Sequence, residues 1–172
     1  TGDWKDSTSG VYVNGDMEMR GGSISYNGEC ASAVTVQGGN FIISKGNISN
    51  NKSRGVTLGE AWVDPTREDG TIHSKKAINP CFMIGGEISN NNGVGVEFSD
   101  RRFVMNGGNI CYNNGEYAGG VYGAGWCQFE MNGGTISHNT GMTGGGVSAS
   151  AVELRGGIIE NNYAEYGGGV YV

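Results

Sequence analysis

The residues with the most chemistry in this chain stand together in "WVDPTREDGTIHSKKAINP", residues 62–80, which gathers Trp62, Asp64, Arg67, Glu68, Asp69, His73, Lys75 and Lys76. Two shorter stretches, "SDRR" at 99–102 and "GAGWC" at 123–127, add Asp100, Arg101, Arg102 and Trp126. An indole stacks on a flat apolar face, and arginine or carboxylate forks orient hydroxyls and amides, so this set suits a sugar or a peptide ligand. The competing expectation is a solvated loop, with Trp62 or Trp126 covering an apolar flank. His73 in a charged segment reads first as an exposed residue rather than a base, and His138, in an asparagine-rich turn, has less claim still.

Catalysis on polysaccharides needs several carboxylates on one face, as an acid and base pair or as calcium ligands. Asp64, Glu68, Asp69 and Asp100 are the carboxylates on offer, and all fall in loops. Cys30, Cys81, Cys111 and Cys127 show no CxxC or Cys/His ligand spacing, so zinc is not indicated and mostly unpaired thiols are expected, with one bridge left open. No cofactor, metal or catalytic residue is assigned.

What positions these residues is a phrase repeated six times, as in "FVMNGGNICYNNG" and "FEMNGGTISHNTG". The anchor is an isoleucine: Ile24, Ile48, Ile88, Ile110, Ile136 and Ile159. Two residues before each stands glycine, and three after stands asparagine: Asn27, Asn51, Asn91, Asn113, Asn139 and Asn162. Large apolar residues five and seven positions before the anchor, such as Met105 and Phe103, alternate with polar ones at the period of a strand. A second strand begins at phrases such as "GVYV" and "AVTV", with Val11 and Val13 predicted to point inward. Units run 22–26 residues apart from one of 40 that carries the insertion.

One such unit cannot bury its apolar face alone, but units stacked about 4.8 Å apart place like over like in a continuous core. The pattern predicts an all-β parallel β-helix of six full coils and a partial seventh, one domain over 1–172, with residues 62–80 as a loop insertion. The asparagines are predicted to form a ladder along the stack, and the glycines to turn a corner. Stretches 62–80, 99–102 and 123–127 then fall at one corner of successive coils and are expected to share an edge.

Phe103/Asn106 and Phe129/Asn132, each followed by GGxI, resemble the FxxN and GGxI repeats of chlamydial polymorphic outer-membrane proteins. The chain is also similar to GGxIxxN arrays in surface proteins of gut bacteria and adhesin-like proteins of archaea. That resemblance implies a right-handed parallel β-helix at a cell surface. Pectate lyases and polygalacturonases share this kind of solenoid, so a lyase-like or hydrolase-like carbohydrate-active β-helix is the alternative.

Composition narrows the classes. The 34 glycines lack a Gly-X-Y period, so collagen is excluded. A net charge of −6 provides no basic footprint for nucleic acid or an anionic membrane. No apolar run approaches the ~18 residues of a spanning helix. The missing start methionine and the end within a repeat phrase point to a piece of a longer or processed protein. Ice binding would need regular hydroxyl rows, which Glu87, Asn109, Ile158 and Glu160 interrupt, and a calcium β-roll would need an aspartate that these repeats lack. What the resemblance implies is a bacterial or archaeal secreted or cell-surface module, adhesive or spacing, with a glycan or a host or cell-surface protein as partner. End-to-end self-association is a further reading, since an open β-helix end presents unpaired strand backbone.

Overall fold

The structure is a computed structural model, and it describes residues 9–28, 30–59 and 80–172. Every paired strand in it is parallel, and no helix occurs among the described residues. The first two coils run as long strands, β1 (Ser9–Ser25) and β2 (Ser32–Ser49), with shifts of register where β1 bends. From there each coil divides into three short strands. Coil three has β3 (Arg54–Gly59), β4 (Cys81–Met83) and β5 (Glu87–Ser89); coil four has β6 (Val96–Ser99), β7 (Arg102–Met105) and β8 (Asn109–Cys111). Coil five has β9 (Val121–Ala124), β10 (Gln128–Met131) and β11 (Thr135–Ser137). Coil six has β12 (Val147–Ser148), β13 (Val152–Leu154) and β14 (Ile158–Glu160), and β15 (Val170–Tyr171) opens the next.

Equivalent strands of successive coils pair into three faces. β1, β2, β3, β6, β9, β12 and β15 form one face; β2, β4, β7, β10 and β13 the second; β2, β5, β8, β11 and β14 the third. This is a parallel β-helix of about six turns. Its register is the register of the sequence repeat: Ile24, Ile48, Ile88, Ile110, Ile136 and Ile159 are successive partners. Val11, Val34, Val56, Val96, Val121, Val147 and Val170 form the matching column of the first face.

The columns meet in one core, where Phe41, Phe98, Phe103, Phe129 and the middle isoleucines are fully buried. Each such side chain contributes about 1.5–3 kcal/mol of burial, so the stack is held by repetition rather than by any single contact. Phe103 lies 5.8 Å from both Phe98 and Phe129, centroid to centroid. Gly123 stands in an inward column opposite Phe98, and a Cβ there would lie 2.4 Å from Cys127 Sγ and 2.8 Å from the Phe98 ring. A large ring in one coil and a thiol in the next thus fill the space that Gly123 leaves.

Two corner devices recur. The glycine two residues before each anchor isoleucine has φ between 80° and 102°, a region that side chains avoid. Two residues after the anchor, Tyr26, Asn50, Asn90, Tyr112, His138 and Asn161 are all left-handed, with φ between 53° and 58°. That second turn aims the following asparagine inward. Asn51 Nδ2 donates to Asn91 Oδ1 at 2.8 Å, Asn91 to Asn113 at 2.9 Å and Asn113 to Asn139 at 3.0 Å. Each Oδ1 also accepts the backbone N–H of the previous asparagine, and each Nδ2 from Asn51 onward donates to an isoleucine carbonyl of the previous coil. The ladder leaves no donor or acceptor of the buried amides unused.

Candidate functional site

At the corner singled out from sequence, Trp62, Asp64, Arg67, Glu68, Asp69, His73, Lys75 and Lys76 lie outside the described residues. The other members divide by environment. Arg101 is buried, donating from Nη2 to the Gly39 carbonyl at 2.9 Å and from Nη1 to Cys81 Sγ at 3.2 Å. The described strands of coil three on either side of the insertion end at Gly59 and resume at Cys81, and the Arg101 side chain of coil four reaches the carbonyl of coil two. Asp100, left-handed with φ 50°, accepts the Trp126 N–H at 2.9 Å, and the Trp126 side chain is 89% exposed. Arg102 turns to the second face, where it pairs with Glu130.

Glu130 is the center of a charge network. Arg102 and Arg155 both pair with it, Asn132 donates to it at 2.9 Å, and Arg155 also reaches Glu153 at 2.8 Å. The Arg102 guanidinium, followed by the Asn132 amide, holds the Glu130 carboxyl below the usual carboxylate range. A carboxylate so fixed is an anion and not a proton donor at neutral pH. Burial pushes the Cys81 thiol up against the opposing pull of Arg101, and burial with nearby Glu87 pushes the Cys111 thiol up to about 11. All four cysteines are free. Among the described residues, no three His, Cys, Asp or Glu side chains gather as a metal ion would require.

A groove of about 510 Å³ lies at a different corner, between the asparagine ladder and the valine column. Its origin is a change of corner length. Val56 stands five positions after Asn51 and Val96 five after Asn91, whereas Val34 stands seven after Asn27 and Val121 eight after Asn113. Two short corners therefore form a floor, with Lys52, Ser53, Arg54, Asn92, Gly93 and Val94, between walls made by Cys30 and Ala31 on one side and residues 114–118 on the other.

The groove carries both stacking surface and polar forks. Tyr117 and Tyr122 stack at 5.8 Å, with ring planes 18° apart. Arg54 Nε pairs with Glu97 Oε2 at 2.6 Å, and its Nη1 donates to the Ala31 carbonyl at 3.4 Å. Cys30 Sγ and Ser53 Oγ, 3.2 Å apart, close the first wall onto the floor. Glu97 and Tyr122 are neighbours in the column Tyr12, Thr35, Thr57, Glu97, Tyr122, Ser148 and Tyr171. A search for unusual residue types passes over Lys52, Arg54, Glu116 and Tyr117. The signal for them is the count of residues between ladder asparagine and inward valine.

No protein-family model, curated protein or solved structure matches the chain. Among the described residues no helix is long and apolar enough to cross a membrane.

Proposed function

We propose that this chain is a non-catalytic binding module, a stiff β-helical rod that presents a ligand groove on its flank, in a bacterial or archaeal protein that is secreted or displayed at the cell surface. The observation that carries the reading is the groove of about 510 Å³, which Tyr117, Tyr122 and the Arg54–Glu97 pair line together. Concave sites with aromatic surface and a few oriented polar groups are the usual form of a ligand pocket. Glu97 is engaged by Arg54, which suits orientation of a ligand better than proton transfer. Stacked coils supply the rigidity, since both walls and the floor are corners held between paired strands and the asparagine ladder. The GGxIxxN phrase, similar to that of surface-protein arrays, supports the placement outside the cell.

The test is binding of the labelled chain to panels of glycans and of cell-surface proteins. The reading expects saturable binding that Tyr122→Ala and Arg54→Ala each weaken with the fold retained. Binding by neither panel, or binding indifferent to both changes, would overturn it.

A further inference from the structure

The rest of that groove defines what would enter it. Its floor spans two coils, so its walls stand three coil spacings apart, about 14 Å between centers at about 4.8 Å per coil. Subtracting the thickness of the walls leaves a channel about 10 Å across, the width that one extended chain with its side groups occupies. The channel runs across the rod, parallel to the strands, because its walls are themselves coil corners.

Main-chain recognition is closed to an occupant at Lys52 and Asn92 of the floor and at Asn114 of the far wall. The N–H of Lys52 donates to the Asn27 carbonyl, that of Asn92 to Asn51 and that of Asn114 to Asn91, while those of Gly55 and Gly95 go to Val94 and Gly119. An extended peptide gains most of its affinity by adding a strand to free backbone, and these groups are already spent between coils. The side chains of the lining then set the chemistry of the occupant. The four charged residues of the lining, Lys52, Arg54, Glu97 and Glu116, cancel, and the chain as a whole carries −6, which disfavours an acidic polymer. Arg54 and Glu97 present donors and acceptors side by side, the arrangement that adjacent hydroxyls of a sugar ring satisfy in both directions. Tyr122 and Tyr117 supply the flat apolar surface on which such a ring stacks.

We infer that the groove binds a single neutral polysaccharide chain, laid across the rod, with one sugar stacked at Tyr122 and its hydroxyls shared between Arg54 and Glu97. This deepens the binding-module reading and rests on it.

The experiment is an NMR titration of the isotopically labelled full chain with neutral hexasaccharides (cellohexaose, mannohexaose and chitohexaose), beside hexagalacturonate and an unstructured peptide of similar length. The expected result is fast or intermediate exchange shifts with at least one neutral hexasaccharide, confined to residues 52–54, 92–97 and 114–122. Tyr122→Ala and Glu97→Gln are each expected to weaken that binding at least tenfold. Tyr112→Asn, which removes an exposed tyrosine outside the groove from a left-handed position that asparagine fills in other coils, is expected to leave it within twofold. Groove shifts only with hexagalacturonate or only with the peptide overturn the neutral-glycan assignment while leaving the binding-module reading standing. Shifts that map elsewhere overturn the groove, and absence of shifts with all five probes overturns the neutral glycan; the wider panels then decide the module reading separately.

Discussion

Arg101 and Gly39 lie two coils apart, yet the guanidinium of one donates to the carbonyl of the other at 2.9 Å. The bond ties coil four directly to coil two, past the point where the described part of coil three ends at Gly59. Truncating Arg101 removes a buried stem and takes a donor from the Gly39 carbonyl. Arg101→Ala is expected to destabilise the fold by about 2 kcal/mol or more in urea unfolding, with ligand binding at the groove unchanged. An unaltered midpoint would show that the bond carries no weight.

The ladder gives a second, graded prediction. Asn113 Oδ1 accepts both the N–H and the side-chain amide of Asn91, and its own Nδ2 serves Ile88 and Asn139. Asn113→Ala strands several buried groups at once and should cost about 3 kcal/mol. Among the described residues Asn27, the half-buried first rung, donates only to Asn51, so Asn27→Ala should cost about 1 kcal/mol. Equal losses in chemical denaturation would contradict a cooperative ladder.

Acid sensitivity follows from Glu130. Its pKa is lower in the folded chain than the ordinary 4.5, through Arg102 first and then Asn132. Stability from this carboxylate is therefore complete above the unfolded value and drains away as pH falls through the folded one. Melting temperature in the wild type should drop more between about pH 6 and pH 3 than in Glu130→Gln. Parallel curves would remove Glu130 from the account.

The thiols should be quiet. Cys111, raised to about 11, and Cys81, raised by burial, stay protonated at neutral pH and are expected to resist iodoacetamide in the native state. Denaturant should reveal four reactive thiols, and reductant should leave the melting temperature unchanged. Fewer than four would mean a bridge that the structure lacks.

Particular residues show how far the sequence reaches. Ile110 and Asn113 could be placed because every coil repeats them at one spacing, and parallel stacking turns equal spacing into contact. Arg101 is different: its type suggested a ligand contact, but its guanidinium is buried against Gly39 and Cys81, neighbours in other coils that no local pattern encodes. Trp126 stands exposed beside Asp100, and the residues of 62–76 expected to share its edge lie outside the described residues. The groove at Arg54 and Tyr122 is ordinary in residue type at each position. It arises from the length difference between the corners after Asn51 and Asn91 and those on either side, a relation between coils rather than a motif within one.

The central claim, that a step in corner length creates the binding site, has a direct test. Replacing residues 92–95 with the longer corner of coil five, residues 114–120, would raise half of the floor to the level of the wall while keeping a turn this fold already uses. Binding to the glycan and protein panels is then measured beside circular dichroism and melting. The expected result is a folded rod of nearly unchanged stability with binding lost or weakened at least tenfold. A folded graft that binds as the wild type does would contradict it.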